Sequence, residues 1–150
     1  MKVLTPKEKC EALMRDVLPF AKEMLAQNGE FYPYGGITKF DGEIVHVAAR
    51  EKGSHNPKSK SLIDILRKQF RRQAMSGEIL ACAIVFDVLI RPPNETEKVD
   101  AIQVNLDHMD NYSVEVLFPY VIDGGQVRYG TPFAQAGDDL IFRAESELGS

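Results

Sequence analysis

The run from Ile79 to Ile90 constrains the fold of this chain more than any other stretch, because every residue in it is apolar except Asp87. A strand of this composition needs cover on both of its faces. The even positions of the run carry mostly large side chains, whereas Ala81 and Ala83 are small enough for a helix to pack close to the backbone. We therefore predict a long β-strand that lies under a helical layer.

Two segments show the three- and four-residue spacing of amphipathic helices. The first extends from Thr5, a predicted N-cap followed by proline, to the neighbourhood of Gly29, which suits a helix end. The second opens at residues 56–57 and ends near Gly77. We expect both helices to cover the sheet that contains the apolar run.

The remaining segments have the period of strands. A β-hairpin is predicted over residues 31–50, because Asp41 and Gly42 form a dipeptide favoured in two-residue turns. Further strands are predicted at 99–109, 112–122 and 126–129, and a short closing element is considered at 140–142. In the strand at 99–109, apolar residues alternate with polar ones, so we expect one dry face and one face open to water. The polar positions of that strand are Gln103, Asn105 and Asp107.

The order of elements is thus α-β-β-α-β-β-β. We predict an α+β domain with a five- to six-stranded, mainly antiparallel sheet and both helices packed on one face, since a single hairpin is only marginally stable alone. Over about residues 5 to 122 this succession resembles the roadblock and profilin-like group of folds. The resemblance implies that the first strand pairs with the last strand of the meander, in the order 2-1-5-4-3. No linker or repeat divides residues 1–150, so a single domain is expected, with the tail from about 136 left open.

Composition limits the classes of partner. A net charge of −4 and a pI near 5.4 argue against bulk binding to nucleic acid or to an anionic membrane. The chain shows no signal-peptide stretch and no run of roughly 18 apolar residues, so we expect a cytoplasmic protein. Cys10 and Cys82 have no zinc-type spacing and are expected to be core residues.

Two similar segments, 31–36 and 117–120, each contain an aromatic residue, a proline and a tyrosine in succession. In the strand order 2-1-5-4-3 they would lie on neighbouring strands, with prolines interrupting the ladder and glycines allowing close approach by a ligand or partner. The alternative interpretation is that these aromatic rings only close one end of the core. The candidate ligand-binding residues are Tyr32, Tyr34, Gly35, Gly36, Phe118 and Tyr120.

The second helix is locally basic, with six Lys and Arg residues against one Asp over residues 58–72. Such a face suits an acidic protein surface, or it is an ordinary solvated helix face. Nucleic acid is disfavoured because no aromatic residues interleave the basic ones outside the apolar stripe and no Gly-rich loop precedes them. The candidate partner-binding residues are Arg67, Lys68, Arg71 and Arg72.

A few residues could take part in metal binding, general-base catalysis or nucleophilic catalysis. The residues that could form a metal or general-base set are His46, His55, Asp107, His108 and Asp110. Adjacent strand residues point to opposite faces, so Asp107 and His108 do not suit one ion, and no metal or cofactor is predicted. Cys82 in an apolar strand should have a raised pKa, so its thiol should stay protonated at neutral pH. A nucleophilic role for Cys82 is disfavoured because the thiolate is the reactive form.

Asp87 is the single charged residue in the apolar run. We expect it to pair with an Arg or Lys on a helix or to lie at an exposed strand end, because an unpaired buried carboxylate is costly. A functional acid is the alternative interpretation.

Together these features predict a small, non-catalytic binding or regulatory domain that acts through protein contacts, as a homodimer. The alternative is a small-molecule or peptide receptor, or a weak enzyme, built on the aromatic residues of the two Pro-Tyr segments. No catalytic residue is assigned. A hydrolase or deaminase is disfavoured because no nucleophile, metal or base set has the required spacing.

Overall fold

A computed structural model describes residues 3–50 and 58–143 of the chain. It confirms an α+β fold built on an antiparallel sheet. In chain order the elements are α1 (Pro6–Asn28), β1 (Tyr34–Lys39), β2 (Ile44–Ala48), α2 (Ser59–Met75), β3 (Ile79–Ile90), β4 (Val99–His108), β5 (Tyr112–Asp123), β6 (Gln126–Tyr129) and β7 (Phe133–Ala136). A helical turn follows at residues 140–143.

The sheet has the strand order β2-β1-β3-β4-β5-β6, and β7 pairs with β5 on the same edge as β6. The first strand, β1, therefore pairs with β3 and not with the last strand of the meander. The predicted order 2-1-5-4-3 is wrong, and the roadblock and profilin-like resemblance, which implied that order, is not confirmed. The first eight residues of β3 are buried, and this strand gains neighbours on both edges by taking the central position.

The two helices lie on opposite faces of the sheet. α1 packs on the face that carries Ala81 and Ala83, whereas α2 packs on the face that carries Cys82 and Ile84. The prediction of both helices on one face is therefore wrong. Alternate side chains of β3 point to opposite faces and are apolar on both, so each face needs its own helix.

Gly35 and Gly36 let both helices approach β1. A Cβ built at Gly35 would lie 2.5 Å from the Ala83 carbonyl oxygen and 2.8 Å from Cζ of Phe70 on α2. A Cβ built at Gly36 would lie 2.6 Å from Cγ1 of Val17 on α1. Neighbouring strand residues face opposite sides, so one glycine makes room for each helix.

The predicted start and end of α1 are confirmed. The Thr5 hydroxyl accepts the Glu8 N–H at 3.1 Å, and the Glu8 carboxylate accepts the Thr5 N–H at the same distance, which completes a capping box. Gly29 ends the helix in the left-handed conformation, with φ of 75°.

The second helix begins at Ser59 with Lys58 as its N-cap and ends at Met75, close to the predicted end at Gly77. Its predicted opening at 56–57 lies outside the described residues. Neither α1 nor α2, nor any other helix of the described ranges, combines the length and apolar character that crossing a membrane requires.

The face of β4 predicted to be open to water is largely covered. Asn105 and Asp107 are buried, at 8% and 4% exposure. The residues after β7 pack beside them: the Asp139 N–H donates to Oγ of Ser113 at 3.1 Å, and Ile141 joins the core under α2. The expectation of a wet face is wrong because it took no account of this returning segment, although the closing element considered at 140–142 is present as a helical turn.

Candidate ligand-binding site

Tyr34, the first residue of β1, holds the second half of α1 against the sheet. Its hydroxyl donates to the Val17 carbonyl oxygen at 2.5 Å and accepts the Ala21 N–H at 3.0 Å. In an uninterrupted α-helix these two groups are each other's hydrogen-bond partners, so the hydroxyl bridges one helical turn. Pro19, which has no N–H, lies inside this turn. Burial raises the pKa of Tyr34, which keeps the hydroxyl protonated as a donor.

Two further rings pack at steep angles to Tyr34. The centroid of the Phe20 ring lies 5.0 Å from that of the Tyr34 ring, with an interplanar angle of 83°. The centroid of the Phe31 ring lies 6.1 Å from that of the Tyr34 ring, with an interplanar angle of 69°. These edge-to-face contacts fix the three rings relative to one another. Phe20 and the nearby Tyr32 nonetheless remain 44% and 54% exposed, so the aromatic group opens to solvent on one side.

The rings line a cavity of about 520 Å³, which we name the aromatic cavity. Its walls come from the second half of α1, the connection between α1 and β1 with the first residue of β1, the end of β2, the first residue of α2 and one residue of β3. This volume falls within the roughly 300–1,000 Å³ typical of small-molecule sites. The side chains that define its chemistry are Phe20, Met24, Phe31, Tyr32, Tyr34 and Asp87.

Asp87 stands on the wall of the aromatic cavity, and its Oδ1 accepts a hydrogen bond of 2.8 Å from the Tyr120 hydroxyl. Partial burial raises the pKa of Asp87, the bond from Tyr120 opposes that rise, and the negative charge of Asp100 adds to it. Among the described residues no Lys or Arg forms an ion pair with Asp87. The expected helix-borne basic partner is therefore not found, because Tyr120 reaches the carboxylate across β4 instead, but the other expectation, an exposed position near the end of the strand, is confirmed.

Beside this pair, the ammonium group of Lys22 lies over a second aromatic group. Its Nζ is 4.7 Å from the Tyr129 ring centroid and 5.9 Å from the Phe118 ring centroid. The ring centroids of Tyr129 and Tyr120 are in turn 6.4 Å apart. The Lys22 side chain is thus held by cation–π contacts and is not among the residues that line the aromatic cavity.

The six residues predicted to bind a ligand lie in several environments. Tyr32 and Tyr34 line the aromatic cavity, Phe118 contacts Lys22, and Tyr120 lines a second cavity. Gly35 and Gly36 lie under the two helices and serve their close packing. The structure does not bring the two Pro-Tyr segments together, because β3 and β4 lie between β1 and β5.

The second cavity is larger, at about 710 Å³, and lies between the β3–β4 connection and the segment joining β6 to β7. Its wall includes Pro92, Pro93, Pro119 and Pro132 together with charged side chains of both signs. It has fewer aromatic rings than the aromatic cavity, and Asp87 does not line it. The aromatic cavity is therefore the stronger candidate site.

Three of the four predicted partner-binding residues lie together on α2. Lys68, Arg71 and Arg72 border an open surface depression of about 420 Å³, next to Met75, which is 65% exposed. Arg67 lies apart from them, because its Nη2 is 3.7 Å from Oδ2 of Asp138 in the returning segment.

No group of three or more His, Cys, Asp or Glu side chains within residues 3–50 and 58–143 has the arrangement of a metal site. Nε2 of His46 instead lies 2.6 Å from Oδ1 of Asp16, within hydrogen-bond distance. His108 is buried, and its Nδ1 accepts the Asp110 N–H at 3.0 Å. His55 lies outside the described residues.

Cys10 and Cys82 are buried, unpaired thiols, as predicted. Burial raises the pKa of Cys10 to about 12 and raises that of Cys82 well above its ordinary value. A thiolate is the reactive form of cysteine, so both thiols are inert core groups at neutral pH.

Sequence reasoning did not place Phe20, Phe31 and Asp87 in one site. Phe20 fits the apolar stripe of α1, and nothing local distinguishes it from a core residue. The informative signal is the pairing of β1 with β3: Tyr34 lies opposite Val85. Continuing that antiparallel register brings Asp87 to the level of Tyr32.

The fold and site together define an α+β domain with an aromatic cavity beside an acidic strand residue. Comparison of the chain with protein-family models, with curated proteins and with solved structures finds no match in any of the three. The function proposed below is accordingly supported by the geometry of the site.

Proposed function

We propose that this protein is a receptor for a small molecule or a short peptide, and that the ligand binds in the aromatic cavity. The observation that carries this proposal is the arrangement of Phe20, Phe31 and Tyr34, three rings held at steep angles around an open cavity. Convergent aromatic walls with a small number of polar groups are the usual construction of a small-molecule site.

The rings are held in place before any ligand arrives. Tyr34 is fixed by two hydrogen bonds to α1, and the edge-to-face contacts fix Phe20 and Phe31 against it. A site whose side chains are already ordered loses less conformational entropy on binding. The exposed Tyr32 stands at the rim, where a ligand can cover it.

A blocking substitution tests the proposal. Ala48 is exposed and lines the aromatic cavity, so Ala48→Trp should fill the space without disturbing the core. Ala136→Trp is the matched control, because Ala136 is exposed on β7 and lies outside the cavity. Ligand-observed NMR with a set of small molecules and short peptides compares the wild type with both variants.

Ligands of the aromatic cavity should bind the wild type and Ala136→Trp equally and should lose binding to Ala48→Trp at least tenfold. The proposal fails if every molecule that binds the wild type also binds Ala48→Trp, with circular dichroism showing all three proteins folded.

A second candidate function is self-association through α2. Lys68, Arg71 and Arg72 gather around the exposed Met75, while the rest of the chain is acidic. Charge complementarity therefore suits a second copy of this chain as the partner. Light scattering over a range of protein concentrations, with Lys68→Glu/Arg72→Glu against Lys60→Glu as control, tests this. A mass that stays that of one chain at every concentration would end it.

A further inference from the structure

The ionisable groups of the aromatic cavity have one sign. Glu30 and Asp87 line it, and among the described residues of the lining there is no Lys, Arg or His. Lys22, which lies on the same helix as Phe20, is held over the Phe118 and Tyr129 rings instead. A ligand in the cavity therefore meets acidic groups, and within residues 3–50 and 58–143 no lining cation neutralises them.

Asp87 is exposed, with its carboxylate only partly surrounded by protein, and it has no basic partner in the described part of the chain. Its hydrogen bond comes from the neutral hydroxyl of Tyr120, which satisfies an oxygen but leaves the negative charge in place. A carboxylate in that position is stabilised by a cation that approaches from the cavity side.

The aromatic walls add to this preference. The face of an aromatic ring carries negative charge density, and rings set at steep angles to one another form the cages that hold ammonium groups. The contact between Lys22 and Tyr129, with 4.7 Å from Nζ to the ring centroid, shows this chemistry on the neighbouring aromatic group.

We propose that the ligand of the aromatic cavity is an organic cation, an ammonium or guanidinium group held between the aromatic rings and the carboxylate of Asp87. This inference rests on the receptor function proposed above. The cation belongs either to a free small molecule or to a Lys or Arg side chain of a peptide, and the test separates these two sources.

Three probes of similar shape isolate the charge. Choline carries a cation, 3,3-dimethyl-1-butanol is its neutral counterpart, and 3,3-dimethylbutanoate carries an anion. Titrations followed by the backbone and ring NMR signals of Phe20, Tyr32 and Tyr34 give the affinity of each. Choline should bind at least tenfold more tightly than the neutral alcohol, and the anion more weakly than both.

Asp87→Asn removes the charge and keeps the shape of the side chain. It should reduce the ratio of choline to alcohol affinity at least threefold, and the ratio that remains is the contribution of the aromatic rings and Glu30. Asp123→Asn, which removes an exposed carboxylate outside the cavity, should leave the tenfold ratio intact.

Blocked tripeptides with a central Lys, Arg or norleucine identify the source. Tighter binding of the Lys or Arg peptide than of choline assigns the cation to a peptide, and the reverse assigns it to a free small molecule. If choline and the neutral alcohol bind equally, the cation inference is wrong while the receptor function stands. If no probe or peptide shifts the signals of the aromatic cavity, both proposals are overturned.

Discussion

The hydroxyl of Tyr120 on β5 donates a 2.8 Å hydrogen bond to the carboxylate of Asp87 on β3, across the intervening strand β4. The two residues are 33 positions apart in sequence. This bond connects the acid on the wall of the aromatic cavity with the aromatic group formed by Tyr129, Phe118 and Lys22. The orientation of Asp87 is thus set by the outer half of the sheet.

Replacing Tyr120 with Phe should destabilise the protein by about 1 kcal/mol, the usual contribution of one hydrogen bond. It should also raise the pKa of Asp87 further, because the bond from Tyr120 opposes the rise caused by burial. Urea denaturation and a ¹³C NMR titration of the Asp87 carboxyl measure the two effects. Tyr129→Phe is the control, since it keeps the ring that contacts Lys22. An unchanged pKa of Asp87 in Tyr120→Phe would contradict the observed bond.

Gly35→Ala should destabilise the fold by about 3 kcal/mol, because the new methyl group would meet the Ala83 carbonyl oxygen at 2.5 Å and the Phe70 ring at 2.8 Å. Gly130→Ala is the matched control, because the new methyl group would lie 3.6 Å from Cβ of Pro119, an ordinary van der Waals distance. It should change the free energy of unfolding by less than about 0.5 kcal/mol. Denaturant midpoints measure both. Equal effects of the two substitutions would show that the helices do not pack closely on β1.

Tyr34→Phe should destabilise the protein by about 1–2 kcal/mol, since it removes the hydroxyl that bonds the Val17 carbonyl and the Ala21 N–H. Hydrogen exchange provides a local readout. The Ala21 amide should exchange faster in the variant, whereas the amide of Leu13, about two turns earlier in α1, should keep its wild-type protection relative to global stability. Unchanged exchange at Ala21 would show that the helix forms its own bond there.

Asp107 should make stability depend on pH. Burial raises the pKa of its carboxyl to about 6 from 3.8; the bond from Ser113 and the charge of Arg67 oppose the rise, and Asp138 and Asp139 add to it. The folded state therefore binds this proton more tightly than the unfolded state does. The protonated Asp107 carboxyl therefore adds to the free energy of unfolding. This contribution is complete below about pH 3.8 and is lost as the pH rises through about 6.

Asp107→Asn should therefore stabilise the protein at pH 7.5, by up to about 3 kcal/mol at roughly 1.4 kcal/mol per pKa unit. Near pH 4 the variant and the wild type should be equally stable. Urea unfolding at a series of pH values measures the difference, with Asp123→Asn as an exposed control. A difference that is the same at pH 4 and pH 7.5 would refute the assigned titration.

Much of the local structure was predictable from the sequence. The capping box of Thr5 and Glu8, the helix end at Gly29 and the buried strand at Ile79–Ile90 all depend on residues that are close together in the chain. A turn at Asp41 and Gly42 was predictable for the same reason, although the turn has three residues and not two, because the Lys39 N–H donates to the Glu43 carbonyl oxygen. Capping, turn preference and periodicity are short-range effects, so a sequence reveals them directly.

The candidate site was predicted only in part. Tyr32 and Tyr34 were assigned to a ligand site and do line the aromatic cavity, but they were grouped with Phe118 and Tyr120 through a wrong strand order. Asp87 was singled out by its charge, yet its partner was expected on a helix. These errors concern pairings between strands, which periodicity does not specify.

The sequence by itself determined which segments of this protein become the helices α1 and α2 and the strands β1 to β6, but not β7, and that the apolar run at Ile79–Ile90 needs cover on both faces. Only the tertiary structure decided that α1 and α2 take one face each, that β1 pairs with β3, and that Phe20, Tyr34 and Asp87 surround one cavity. The physical reason is the range of the interactions. Local preferences act within a few residues, whereas strand order and cavity formation depend on which buried surfaces fit together across the whole chain.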